Sequence, residues 1–136
     1  MEHSGSEKRR VLLMDDEESI LESYGKLLVL KGYSVVLARD GDEAVEAYRK
    51  AVREGEPIDV VIMDLTIPGG MGGREAISQL LEIDPAVRAV ISSGYSNDPI
   101  ISEFRKFGFS AVIPKPYTLR DLISVIEEIT AGKSGS

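Results

Sequence analysis

The chain has 136 residues, with 16 Lys and Arg against 23 Asp and Glu, a net charge of −7. At about 100–200 residues per domain this is one domain, and an apolar share of 43% suffices for a core without covalent staples. With no Cys and a single histidine, His3, in a polar leader, disulfides, Cys-based zinc sites and Ser-His-Asp or Cys-His catalysis are excluded, and the acidic balance speaks against direct nucleic-acid binding.

Residues 1–8 read as a flexible leader, and only four apolar residues, 11–14, follow the polar start. That is too short for a signal-peptide core or a membrane span, so a cytoplasmic location without membrane contact is expected. The first strand is placed at 11–14. The first helix carries Ile20, Leu21, Tyr24, Leu27 and Leu28 on one stripe and stops at Gly32. A second strand at 34–38 leads to a helix capped by Asp40, with Glu43 three residues on, that presents Ala44, Val45, Ala47, Tyr48 and Val52.

Strand three is expected at 60–63, followed by the loop Pro68-Gly69-Gly70-Met71-Gly72-Gly73 and a helix over 74–83 that ends at Asp84-Pro85. Strand four, 89–92, precedes a helix capped by Asn97 or Asp98, with Pro99 in its first turn and Ile100, Ile101, Phe104 and Phe107 inward before Gly108. Strand five, 111–113, is followed by a helix from Thr118, with Asp121 three on, that buries Leu119, Leu122, Ile123, Val125, Ile126 and Ile129. Residues 132–136 read as a flexible tail, leaving 9–131 as the domain.

The strands are continuous apolar runs, as in sheets covered on both faces. Regular alternation of strand and helix therefore gives a doubly wound (βα)5 three-layer α/β sandwich with right-handed crossovers. In the common flavodoxin-like order 2-1-3-4-5, ligands bind beyond the carboxyl ends of the strands, where the winding reverses. At those ends stand Asp15-Asp16, Asp64, Ser93-Gly94 and Lys115-Pro116.

Each of these residues has an ordinary reading taken singly. Asp-Asp after a strand is commonly a turn or cap, Glu17 and Glu18 suit a helix's first turn, and a lone lysine is commonly a solvated charge. Ser92 competes with Ser93 as the hydroxyl, although alternation points the two to opposite sides. The Gly-rich loop lacks the Gly-Lys-Ser/Thr of a nucleotide P-loop. Together the set is restrictive. Three clustered aspartates repel one another unless a cation intervenes, and carboxylates with waters suit Mg²⁺ or Mn²⁺. A carboxylate can also attack phosphorus, with the phosphoryl oxygens then needing an ammonium and donors such as Lys115 and Ser93. Gly94 leaves room for the group.

In these residues the chain resembles the receiver domains of two-component response regulators. The resemblance rests on the acidic pair in Val11-Leu12-Leu13-Met14-Asp15-Asp16, Asp64 in Val60-Val61-Ile62-Met63-Asp64, Ser93 in Ile91-Ser92-Ser93-Gly94-Tyr95, and Lys115 in Val112-Ile113-Pro114-Lys115-Pro116. It implies Asp64 as phosphoacceptor; Asp15, Asp16, Asp64 and the Thr66 carbonyl as Mg²⁺ ligands; and Ser93 and Lys115 as the groups that sense and neutralise the phosphoryl group. It also implies a cis Lys115-Pro116 bond and a domain that catalyses its own phosphorylation and dephosphorylation rather than turning over a substrate. The donor is expected to be a histidine kinase or phosphotransfer domain, including a kinase domain in the same chain. The Gly-rich loop and Arg74-Glu75-Ala76-Ile77 look like receivers attached to hybrid sensor histidine kinases. One departure is plain: many receivers carry an aromatic three residues before the lysine whose rotation reports phosphorylation, and here that residue is Val112, with Tyr95 or Phe104 as the substitutes the sequence offers. The rival expectation is an aspartate-nucleophile phosphatase of the haloacid-dehalogenase kind, which ordinarily shows Asp-x-Asp after its first strand; Asp15-Asp16-Glu17 does not.

Overall fold

Each apolar run becomes a parallel strand because helices cover both of its faces. The computed structural model describes residues 8–94 and 98–135; His3, Tyr95 and Asn97 lie outside them. Five strands, β1 (Arg10–Met14), β2 (Ser34–Ala38), β3 (Val60–Asp64), β4 (Ala89–Ser93) and β5 (Ala111–Pro114), alternate with α1 (Glu18–Leu30), α2 (Gly41–Arg53), α3 (Gly73–Ile83), α4 (Pro99–Ser102) and α5 (Leu119–Gly135). All pairings are parallel and the order is β2-β1-β3-β4-β5, the doubly wound flavodoxin-like arrangement.

Side-chain alternation divides the sheet between two cores. Leu12, Met14, Val61, Met63, Ala89 and Ile91 face the layer of α2, α3 and α4. Val11, Leu13, Val60, Ile62, Val90 and Ile113 face α1 and α5. The expected caps form where their chemistry requires. Asp40 accepts from the Glu43 backbone N–H at 2.9 Å, and Thr118 and Asp121 exchange reciprocal bonds of 3.0 Å at the head of α5.

Two elements differ from expectation. The fourth helix is a single α-turn at 99–102, followed by a 3-10 turn at Phe104–Phe107 and left-handed Gly108 at φ 103°. Ile100 is buried and Ile101 and Phe104 pack against the core, but Phe107, expected inward, is 41% exposed. Steps of three and four residues share most apolar positions, so spacing alone did not separate the two helix types. The backbone of α5 also stays helical to Gly135, past the expected boundary at 131. Propagation adds a hydrogen bond per residue once a helix is nucleated. No helix among the described residues is long and apolar enough to cross a membrane.

Candidate functional site

The strand register brings the polar residues together. Met14 pairs with Met63, Asp64 with Ser92, and Ser93 with Pro114, so Asp15, Asp64, Ser93 and Lys115 emerge side by side at the carboxyl edge. Backbone bonds carry the pairing one step further: Asp15 N–H to Ala38 O at 3.1 Å, Leu65 N–H to Ser92 O at 2.9 Å, and Lys115 N–H to Ser93 O at 3.0 Å. A cavity of about 360 Å³ opens there, lined by Asp64, Leu65, Thr66, Ser93, Gly94 and Lys115.

Lys115 is the charge at the centre. Its Nζ donates to Asp15 Oδ2 at 2.9 Å and to Asp64 Oδ2 at 3.0 Å. Asp15 is 1% exposed, and its second oxygen accepts from the Glu17 backbone N–H at 2.9 Å. The turn-forming reading and the site reading of Asp15 are therefore both satisfied, one by each oxygen. One oxygen from each of Asp15, Asp16 and Asp64 lies within 4.8 Å of the others. Opposite ligands of Mg²⁺ at about 2.1 Å stand about 4.2 Å apart, so this donor set fits such an ion with little adjustment.

Burial pushes the Asp64 carboxyl above its usual range, against the lowering effect of the Lys115 ammonium, while the Asp15 charge adds to the rise. Burial acts to lower Lys115, but the two carboxylates outweigh it and hold the ammonium firmly protonated. The result is a poised arrangement: a partly desolvated carboxylate, a fixed cation on one of its oxygens, and open space beside it.

Ser93 lines the cavity, whereas the buried Ser92 hydroxyl donates to the Met63 carbonyl at 3.4 Å and is not among the lining residues. Glu18 is engaged elsewhere, by Arg39. A Cβ at Gly94 would meet no atom within 4 Å, so the space Gly94 leaves is open above the cavity. The Lys115-Pro116 bond is cis, and Pro116 lies outside the cavity lining, next to Lys115 in the chain. Val112 and Phe104 both pack against the α2–α4 core, and the Arg105 guanidinium lies 5.0 Å over the Phe104 ring.

One constellation beside the site was not visible in the sequence. The Tyr24 hydroxyl donates to the Tyr117 carbonyl at 2.5 Å, and the two rings are tilted with centroids 5.2 Å apart. Tyr24 read only as part of a helix stripe, and 93 residues separate the partners, so no local signal exists. Tyr117 is pushed up to about 12, by burial first and then by the nearby Asp15 charge.

Residues 11–127 match the family model of the response regulator receiver domain. The chain is 32% identical over 121 residues to a chemotaxis protein CheY of Treponema pallidum, covering 88% of this chain and 81% of that one. It is 30% identical over 122 residues to the sensor kinase CckA of Brucella abortus, covering 88% of this chain and 12% of the kinase. A solved LuxR-family two-component response regulator from Aurantimonas superposes with a TM-score of 0.78 at 33% identity, over 92% of this chain and 86% of that one. The chain spans between 12% and 47% of the length of several of the curated relatives that it matches.

Proposed function

We propose that this chain, which belongs to the response regulator receiver domains of two-component signalling, takes a phosphoryl group onto Asp64 and holds it as a reversible signal. An Asp64 carboxylate oxygen attacks the phosphorus of a phosphohistidine. The new O–P bond forms as the N–P bond breaks, and the imidazole leaves with the electron pair. Water later attacks the same phosphorus, returning inorganic phosphate and free Asp64. Asp15, Asp16, Asp64 and the Thr66 carbonyl are the groups that would hold Mg²⁺ or Mn²⁺, and the ion, when bound, supplies positive charge to the phosphoryl oxygens.

Lys115 offers the matching charge from the protein, and Ser93, which also lines the cavity, offers a hydroxyl donor. No general base is required, because positioning and charge carry phosphoryl transfer. The observation that carries this reading is the Lys115 ammonium 3.0 Å from one Asp64 oxygen at an edge where three carboxylates converge. The donor is a histidine kinase or phosphotransfer domain. A parent hybrid kinase is supported by the Gly-rich loop and by the likeness to CckA. The acyl phosphate then biases a two-state equilibrium that a partner reads.

Incubation with acetyl phosphate, with and without Mg²⁺, followed by intact mass, tests this reading. One Mg²⁺-dependent phosphoryl adduct is expected, and Asp64→Asn abolishes it. An adduct of equal yield in Asp64→Asn overturns the assignment.

A further inference from the structure

Lys115 is useful only if its ammonium stands where the phosphoryl group arrives, and its backbone is tied on both sides. On the upstream side the Lys115 N–H closes the sheet onto the Ser93 carbonyl at 3.0 Å. Downstream, Thr118 and Asp121 begin α5 with their reciprocal cap. Between these anchors lie Pro116, which has no N–H to give, and Tyr117. The next tie along the chain is Tyr24, whose hydroxyl reaches across from α1 to the Tyr117 carbonyl at 2.5 Å. The ring contact at 5.2 Å fixes the direction of approach. Tyr24 is half-buried and Tyr117 is buried, so water competes weakly for that carbonyl. α1 is also the helix that begins directly after Asp15 and Asp16, so one rigid element spans both sides of the site.

We infer that Tyr24 is a positioning residue for Lys115: by holding the Tyr117 carbonyl it sets where the ammonium stands relative to Asp64, and hence the rate at which Asp64 acquires a phosphoryl group. The inference rests on the reading of Asp64 as phosphoacceptor. Tyr24 touches neither the carboxylates nor the incoming group; it acts through two residues of backbone. Lys115 also has two roles of opposite effect. Against phosphate it is an attractive charge, and against a divalent cation on Asp15 and Asp64 it is a competitor. Loosening it therefore slows phosphoryl uptake without weakening cation binding.

Tyr24→Phe keeps the ring and removes the hydroxyl. Three quantities are measured on the whole chain: the rate of adduct formation from acetyl phosphate by intact mass, the Mg²⁺ dissociation constant by titration, and the metal-free melting temperature. Loss of one hydrogen bond to a backbone carbonyl is expected to slow adduct formation about three- to tenfold. Mg²⁺ binding is expected to be as tight as in the wild type or tighter, and Tyr24→Leu, lacking the ring contact as well, to slow uptake further. An unchanged rate in Tyr24→Phe overturns the inference. So does a variant in which uptake and Mg²⁺ affinity fall together, because that is general loosening of the edge. A wild-type chain that acquires no adduct overturns the reading of Asp64 itself, and the inference with it.

Discussion

At Lys115 two opposing demands meet on one nitrogen. The ammonium is paired with both Asp15 and Asp64, and on the proposed reading it would also offer its charge to an incoming phosphoryl group. Removing it exposes both effects. Lys115→Ala leaves a 1%-exposed carboxylate, Asp15, without its cation, so the metal-free melting temperature is expected to fall. Added Mg²⁺ should recover more of that loss than it adds to the wild type, a comparison that paired thermal melts at fixed pH make directly. Adduct formation should slow while remaining detectable, with a weaker gain in partner affinity on phosphorylation. The convergence of these residues was legible beforehand because a doubly wound sheet puts strand-end side chains on one edge. Alternation only placed Ser92 and Ser93 on opposite sides, and the family resemblance favoured Ser93. The contact of Tyr24 with Tyr117 was not legible, since it depends on how α1 settles against the β5–α5 connection, which no local pattern encodes.

The loop between β3 and α3 shows why glycines gather beside Asp64. Gly69 turns the chain at φ +75°, and the Gly70 N–H closes onto the Ile67 carbonyl at 3.1 Å. A Cβ on Gly72 would lie 2.4 Å from the Leu65 carbonyl oxygen, which is backbone and cannot swing aside. Gly72→Ala therefore has to displace the segment that carries Asp64 and Thr66. A stability loss of about 1–3 kcal/mol is expected from denaturant unfolding, with slower adduct formation beside it. The composition of this loop was plain in the sequence, but the backbone it had to accommodate was not. The same limit applied to the fourth helix, where apolar spacing fitted an α-helix as well as the short turn and 3-10 segment that form.

Across the molecule, two buried tyrosines link distant elements on opposite faces of the sheet. Tyr48 of α2 donates to Asp84 at 2.7 Å, beyond α3, and Tyr33 donates to Glu127 of α5, which Arg9 also approaches at 3.6 Å. Burial, and then the carboxylate partner, raises both phenols, Tyr33 to about 12. A raised phenol keeps its proton in the native chain after the unfolded chain has begun to lose it. The resulting stabilisation is complete below about pH 10 and drains as pH climbs through about 12. Melting temperatures followed from pH 8 upward should fall steeply above pH 10, and Tyr33→Phe should flatten that fall. An equally steep fall in the variant would place the alkaline sensitivity elsewhere. The fold class was readable from periodicity, and the strand order and edge followed from the common order of that class, whereas these side-chain bridges depend on tertiary packing.

The same geometry has a consequence for the time order of folding. The two bonds that Lys115 makes span 100 and 51 residues of chain. Contacts of such sequence separation close late, after the loops they enclose have already been ordered. Until the segment after β5 is in place, Asp15 and Asp64 lack the ammonium of Lys115, so on the proposed reading a partly folded chain would take up a phosphoryl group only slowly. On that reading, full speed of phosphoryl uptake would arrive only with the final strand and the lysine that follows it.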